Sequence, residues 1–250
     1  MLTEERQQQI LDLLEQENVV KVHDLTNLLK TSESTIRRDL QDLEDQGLLE
    51  RVHGGAKKIR PLTFEANMRE KEASHQSEKI QIAQLAATQV QESDIIYLDA
   101  GTSTLAMIPF LKQLHSLTVV TNSVKHASLL IDAQIETIIL GGKIKLTTNA
   151  TLGFTSIQQL QQFHFNKVFL GTNGLDLKAG FTTPDPEEAT LKRLALENSE
   201  HAFILADHSK FNQVTFTTIA PLKAATVITD TLSEDARRYL EKTKILEVTK

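Results

Sequence analysis

Polar clusters follow five apolar runs of this chain: DAGTST at 99–104 after DIIYL, TNS at 121–123 after LTVV, GGK at 141–143 after ETIIL, GTNG at 171–174 after KVFL, and DHSK at 207–210 after HAFILA. Each combines residue types suited to an oxyanion. Glycine lets the backbone approach a ligand, serine and threonine donate from their hydroxyls, and a helix starting after such a loop adds free amides. The densest cluster, Gly101, Thr102, Ser103 and Thr104, is the first candidate for a phosphate cradle; the alternative is that these hydroxyls only cap the following helix. Asn122, Lys143, Asn173 and Lys210 are expected to add amides and ammonium groups around it. Asp99 and Asp176 are expected to take the ligand's hydroxyls, because a carboxylate beside a phosphate dianion is repelled.

A second constellation lies near the N-terminus. In TSESTIRRDL, Ser34, Thr35, Arg37 and Arg38 sit together at the start of a helical pattern, and Arg51, His53, Lys57 and Lys58 follow in a basic, glycine-rich tail. Arginine at a helix N-terminus bonds guanine edges or phosphates, neighbouring hydroxyls reach phosphate or base edges, and a basic hairpin meets the sugar–phosphate backbone. The expected partner is double-stranded DNA.

The elements that must hold these residues can be read from apolar spacing. Ile10, Leu11, Leu13 and Leu14 mark a helix over Thr3–Glu17; a break at NVVKV precedes a short helix at 23–30; Ile36, Leu40 and Leu43 form the seam of a third, with Ser32 as its N-cap and Gly47 as its left-handed stop. With Ile36 inward, Ser34, Thr35, Arg37 and Arg38 fall away from the core, as the recognition helix of a helix-turn-helix requires. LLERVHGGAKK then reads as a two-stranded wing turning at Gly54-Gly55. After a polar stretch broken by Pro61, helical and strand-like segments alternate, which implies βα crossovers and a mostly parallel sheet. Further helical segments are expected after Thr104, near 187–198 and near 233–242. The division expected is a winged helix-turn-helix at 1–58, a linker at 59–76 and an α/β domain at 77–250. Ligands of open α/β sheets bind at strand carboxyl ends, where the five polar clusters fall.

Composition bounds the alternatives. At 250 residues with 40% hydrophobic and 24% charged residues, the chain can bury a sizeable core. It has no cysteine, which excludes disulfides and thiolate metal sites, and the eight histidines show no ligand spacing, so no metal or cofactor is expected. No secretory leader or membrane span is recognisable, and a cytoplasmic location is expected. The net charge is −6, yet Arg51, Lys57, Lys58 and Arg60 fall within ten positions that hold no acidic residue. The positive charge is local.

TIRRDLQDLEDQGLLERVHGGA closely resembles the N-terminal signature of the DeoR family of bacterial transcription regulators. The later segment is similar to the sensor half of that family, whose fold is akin to ribose-phosphate isomerases and CoA transferases. LGTNGLDLKAGFTTPDPEEATLKRLA and LADHSKF look closest to the fructose-operon repressors of the family. The resemblance implies a repressor, a homo-oligomer, and control by a phosphorylated sugar, fructose 1-phosphate foremost. The rival is an isomerase-like enzyme with a DNA-binding appendage, in which Asp176, Glu187 or Glu188 would act as base. Asn173 stands where isomerases of this fold carry an acidic residue, and an amide cannot take the proton. No GxxxxGK[ST] or HExxH motif is present, and no catalytic residue is expected.

Overall fold

The computed structural model describes residues 2–17, 19–52, 54–59 and 61–248, which form two compact units, Met1–Pro61 and Leu62–Lys250. Among the described residues no helix is long and apolar enough to cross a membrane.

The first unit runs α1 (Thr3–Glu17), β1 (Val19–Lys21), α2 (Val22–Leu29), α3 (Glu33–Asp45), β2 (Leu49–Val52) and β3 (Gly55–Lys58). Ile10 and Leu14 of α1, Leu25 and Leu29 of α2, and Ile36, Leu40 and Leu43 of α3 share one buried core. Lys30 stops α2 in a left-handed conformation at φ 49°. The Ser32 hydroxyl accepts the Thr35 amide at the head of α3. Gly47, at φ +70°, ends α3 with its N–H on the Glu44 carbonyl and the Leu48 N–H on that of Leu43, the paired bonds of a Schellman turn. Two features differ from the sequence reading. Val19–Lys21, taken as a break, is a strand paired antiparallel with β3, so the wing belongs to a three-stranded sheet in the order β1-β3-β2. Three residues are too few to show a period. The wing turn lies before Gly55, which is already paired with Lys21 of β1. Asp39, moreover, is buried in the α3 seam, where its carboxylate takes a bidentate bond from Arg6 of α1 at 2.5 and 2.9 Å.

In the second unit the elements are α4 (Met68–Ala73), α5 (Gln76–Ala87), β4 (Ile95–Leu98), α6 (Thr102–Leu105), α7 (Ile108–Leu111), β5 (Thr118–Thr121), α8 (Val124–Asp132), β6 (Glu136–Ile139), β7 (Lys143–Lys145), β8 (Ala150–Leu152), α9 (Phe154–Leu160), β9 (Phe165–Gly171), β10 (Gly174–Asp176), β11 (Gly180–Thr183), α10 (Pro186–Glu197), β12 (Ser199–Leu205), β13 (Thr217–Ala220), β14 (Thr226–Thr229) and β15 (Ile245–Glu247). Seven strands form one all-parallel sheet in the order β15-β14-β12-β9-β4-β5-β6, with β10-β11-β13 and β7-β8 as small antiparallel additions. Alternate residues of each strand serve different cores: Tyr97, Val168, Leu170 and Ile204 on one face, Ile96, Leu98, Phe169 and Leu205 on the other. Both faces of the central strands are therefore dry, which explains why those strands read as continuous apolar runs, whereas the edge strand β6 is largely exposed. The segment expected as helical near 233–242 is a run of 3-10 turns, Glu234–Glu241. Residues 62–76, read from sequence as linker, lie within this unit: Met68 is buried and Glu65 pairs with Lys71 and Lys145.

Candidate functional site

The DNA-facing candidates occupy α3 and the wing. Ser34, Arg37 and Arg38 are exposed and Thr35 half-buried, on the side of α3 opposite Ile36 and Leu40. Arg37 leans on Glu33 one turn earlier at 3.3 Å, whereas Arg38 makes no ion pair or hydrogen bond among the described residues. The wing cations are more engaged than their sequence suggests. Arg51 is bonded to Gln41 through its side chain and to Glu44 through its N–H, Lys57 pairs with Glu50 at 3.0 Å, and Lys58 pairs with Glu15. His53 lies outside the described residues. A phosphate must displace these exposed carboxylates, a small cost because surface pairs contribute at most about 1 kcal/mol.

The second candidate site lies where the strand order reverses. From β4 the sheet grows through β5 and β6 in one direction and through β9, β12, β14 and β15 in the other, so the crevice sits at the carboxyl ends of β4 and β9. Asp99 follows β4, and its buried carboxylate accepts the Gly171 N–H of β9 at 3.1 Å and the Lys192 ammonium of α10. Asn122, at the end of β5, fixes the same turn by accepting the Ala100 N–H at 2.9 Å. Gly101 then leads into α6, whose first-turn amides have no intrahelical acceptor. The hydroxyls of Thr102 and Ser103 bond no protein group among the described residues, and neither does the Asn122 side-chain NH2. Thr102 also lines a cavity of about 370 Å³ together with Glu72, Gln76 and Lys79. A larger cavity, about 580 Å³, opens at the amino ends of β9, β12 and β14 and contains none of the predicted ligand residues.

Thr104 has another task. Its hydroxyl donates to the Asp99 carbonyl at 2.6 Å and meets His126 Nε2 at 3.1 Å, while His126 Nδ1 lies 2.6 Å from the Ser123 hydroxyl. Burial, with Lys125 adding to it, lowers the His126 pKa to about 3, so the ring is neutral. One proton arrangement then satisfies the chain: Ser123 Oγ–H donates to Nδ1 and Nε2–H donates to Thr104. This buried relay holds the cradle loop against α8 and leaves Thr104 nothing for a ligand.

The remaining predicted residues divide. The Asn173 carbonyl oxygen accepts the Thr183 hydroxyl at 3.1 Å, which leaves its NH2 free at the mouth of the β10–β11 hairpin. Asp176 is turned to structure: it accepts the Lys178 and Ala179 amides at 2.8 Å each, and those bonds hold its carboxyl below the usual range. Lys143 is exposed on β7, with no bond to the crevice among the described residues. Lys210 sits in the turn after β12, and although burial pushes the Asp207 carboxyl up, Lys210 and Ser209 hold it below its ordinary value.

Sequence reasoning named Asp99 for the ligand and Glu188 only as the rival enzyme's base, and missed Lys192 and Lys145, which build a charged floor with those carboxylates. Besides Asp99 and Lys192, Glu188 is buried on α10; burial pushes its carboxyl up, while Thr148 and Lys145 bond it at 3.0 and 3.1 Å. Lys145 also binds Glu65 and Asp185, and although burial opposes its charge, Glu188 and these partners raise its pKa. The i, i+4 spacing of Glu188 and Lys192 on one helix was the available signal; their partners Lys145 and Asp99 lie 43 and 93 residues away in sequence.

Both units match family models: a DeoR-like helix-turn-helix domain over residues 6–61 and a DeoR C-terminal sensor domain over residues 74–231. The chain is 47% identical over 246 residues to the uncharacterized HTH-type transcriptional regulator FruR of Bacillus subtilis (strain 168), covering 98% of each chain. It is 35% identical to the HTH-type transcriptional regulator GlpR of Haloferax volcanii, covering 96% of this chain and 95% of that one. Among solved structures, ribose 5-phosphate isomerase A of Methanocaldococcus jannaschii aligns with 55% of each chain at 16% identity and a TM-score of 0.42. On these matches the chain belongs to the DeoR family of helix-turn-helix transcriptional regulators and is a regulator rather than an enzyme.

Proposed function

We propose that the protein represses a sugar-utilisation operon, fructose-type by its likeness to the Bacillus regulator, and that a phosphorylated sugar at the β4–β9 crevice controls its affinity for DNA. The observation that carries the reading is the set of unengaged donors, the Thr102 and Ser103 hydroxyls and the Asn122 NH2, around one glycine turn at the topological switch point. Three neutral donors and the free amides of α6 suit a phosphate. Glu65, Glu188 and Asp185, gathered on Lys145, make the floor of the site acidic and disfavour a second phosphate there, while a carboxylate accepts from a sugar hydroxyl. A monophosphate such as fructose 1-phosphate fits this polarity. Residues 1–58, within the first compact unit, are the part assigned to DNA contact.

Calorimetry on the full-length protein tests the reading. Fructose 1-phosphate is expected to bind, unphosphorylated fructose far more weakly, and Ser103→Glu is expected to remove binding by putting negative charge in the cradle while leaving operator binding in place. Equal binding of fructose and its phosphate, or no sugar-phosphate binding at millimolar concentration, reduces the DAGTST loop to a helix cap.

A further inference from the structure

Histidines with no ligand spacing along the chain meet across it. His75 stands at the N-cap of α5 and His208 in the turn after β12, and their rings pack edge to face with centroids 5.1 Å apart. Glu78, one helical turn beyond His75, joins them: one ligand atom from each of His75, Glu78 and His208 lies within 4.8 Å of the others. Among the described residues no hydrogen bond or ion pair links the Glu78 carboxylate to either ring, so the three groups surround a gap instead of satisfying one another.

The orientation of His208 is fixed from behind. Its Nδ1 lies 2.6 Å from Asp230 Oδ2, and its backbone N–H donates to Asp230 Oδ1 at 2.8 Å. Asp230 follows β14, its side chain is almost fully buried, and an ionised carboxylate only accepts, so Nδ1 carries the proton and the Nε2 lone pair points away. A carboxylate behind a ligating imidazole is the usual outer partner of a metal-bound histidine. Glu78 keeps one oxygen for Ser77, at 2.7 Å, and the other free. The His75 side chain makes no hydrogen bond among the described residues, and its ring meets that of His208 edge to face.

We propose that His75, Glu78 and His208 bind a divalent transition-metal ion of the zinc class, with Asp230 as the positioning carboxylate and water in the fourth place. Two imidazoles and one carboxylate with an open position form a zinc-type donor set, whereas magnesium and calcium prefer all-oxygen sites. Zinc bonded at about 2.0–2.1 Å keeps tetrahedral ligand atoms roughly 3.3 Å apart, so the side chains must close by up to about 1.5 Å, within reach of partly exposed groups. The ion would clip the start of α5 to the loops after β12 and β14. The same helix presents Gln76 and Lys79 to the cavity beside Thr102.

Competition titration of zinc against a chromophoric chelator, on full-length protein first stripped of metal, tests the site. One zinc per chain is expected. His75→Asn and His208→Asn should each weaken it by about 100-fold or more, and Asp230→Asn by about 10–100-fold, the range for an outer partner. His164→Asn, on the exposed end of α9's following loop, should change nothing. X-ray absorption of the loaded protein should show two imidazole nitrogens. Each stripped variant must match stripped wild type in circular dichroism, and Glu78→Gln provides a second probe if a histidine variant fails to fold. Absence of stoichiometric binding at micromolar zinc, or binding that survives loss of both His75 and His208, overturns the site.

Discussion

Arg37 and Arg38 are neighbours in sequence and both exposed, but Arg37 leans on Glu33 while Arg38 has no partner among the described residues. Arg38→Ala should therefore cost about 1–3 kcal/mol of operator affinity and Arg37→Ala less, as read by fluorescence anisotropy on operator DNA; equal operator affinity of wild type and the Arg38 variant would take α3 out of the groove. His126 makes a prediction about pH. Its folded pKa, about 3, lies below the unfolded 6.5, so below 6.5 the unfolded chain takes up a proton that the native ring refuses. Stability of the second unit is thus full above pH 6.5 and drains away as pH falls towards 3, by about 1.4 kcal/mol per unit from this one group. In urea titrations at pH 7.5 and 5.0, wild type should lose about 2 kcal/mol more than His126→Gln between the two, and parallel losses would mean the ring is not excluded from protonation. At this scale the sequence showed which hydroxyls cluster but not which are spent: Thr102, Ser103 and Thr104 look alike in the string, and only the fold puts His126 against the third. Lys145 goes unnoticed in the string for the same reason, since its partners come from two distant segments, Glu65 before α4 and Asp185 with Glu188 at the head of α10.

The wing rests on a glycine that its own hairpin does not explain. A Cβ on Gly55 would lie 2.0 Å from the Val20 carbonyl oxygen, a backbone atom, because β1 pairs with β3 at that point. Gly55→Ala must push β1 off the sheet and should destabilise the first unit by about 1–3 kcal/mol, lowering its melting temperature, whereas Gly54, at φ +78° with open space around it, resists substitution through backbone strain alone. An unchanged melting temperature for Gly55→Ala would mean that β1 is not part of the wing. Helices α1 to α3 were legible because caps, stops and leucine spacing agree, whereas β1 was not, since VVK carries no period and its partner lies 36 residues later. The strands of the second unit were legible as apolar runs, but their order was not: nothing in KVFLG says that it pairs with IIYL, and that pairing is what places the crevice.

For the molecule as a whole the question is how a sugar phosphate in the proposed crevice of one unit would reach DNA bound by the other. One short recognition helix reads few base pairs, so the operator should hold two inverted half-sites about 10 base pairs apart or a multiple, bound by a two-fold dimer; footprinting of a single unpaired half-site would contradict this. Control by the ligand is a coupling between two sites, and coupling is reciprocal. If fructose 1-phosphate changes operator affinity by some factor, operator DNA must change fructose 1-phosphate affinity by the same factor, and a coupling of about 1–3 kcal/mol corresponds to about 5–150-fold. Two titrations therefore bear on one number: operator binding with and without saturating sugar phosphate, and sugar-phosphate calorimetry with and without saturating operator. Ser103→Glu should remove the effect from the first while leaving its unliganded value near wild type, because the cradle and α3 belong to different compact units. Sugar-phosphate binding with the same affinity on free and operator-bound protein would show an occupied crevice that regulates nothing, since a ligand with equal affinity for both states shifts neither.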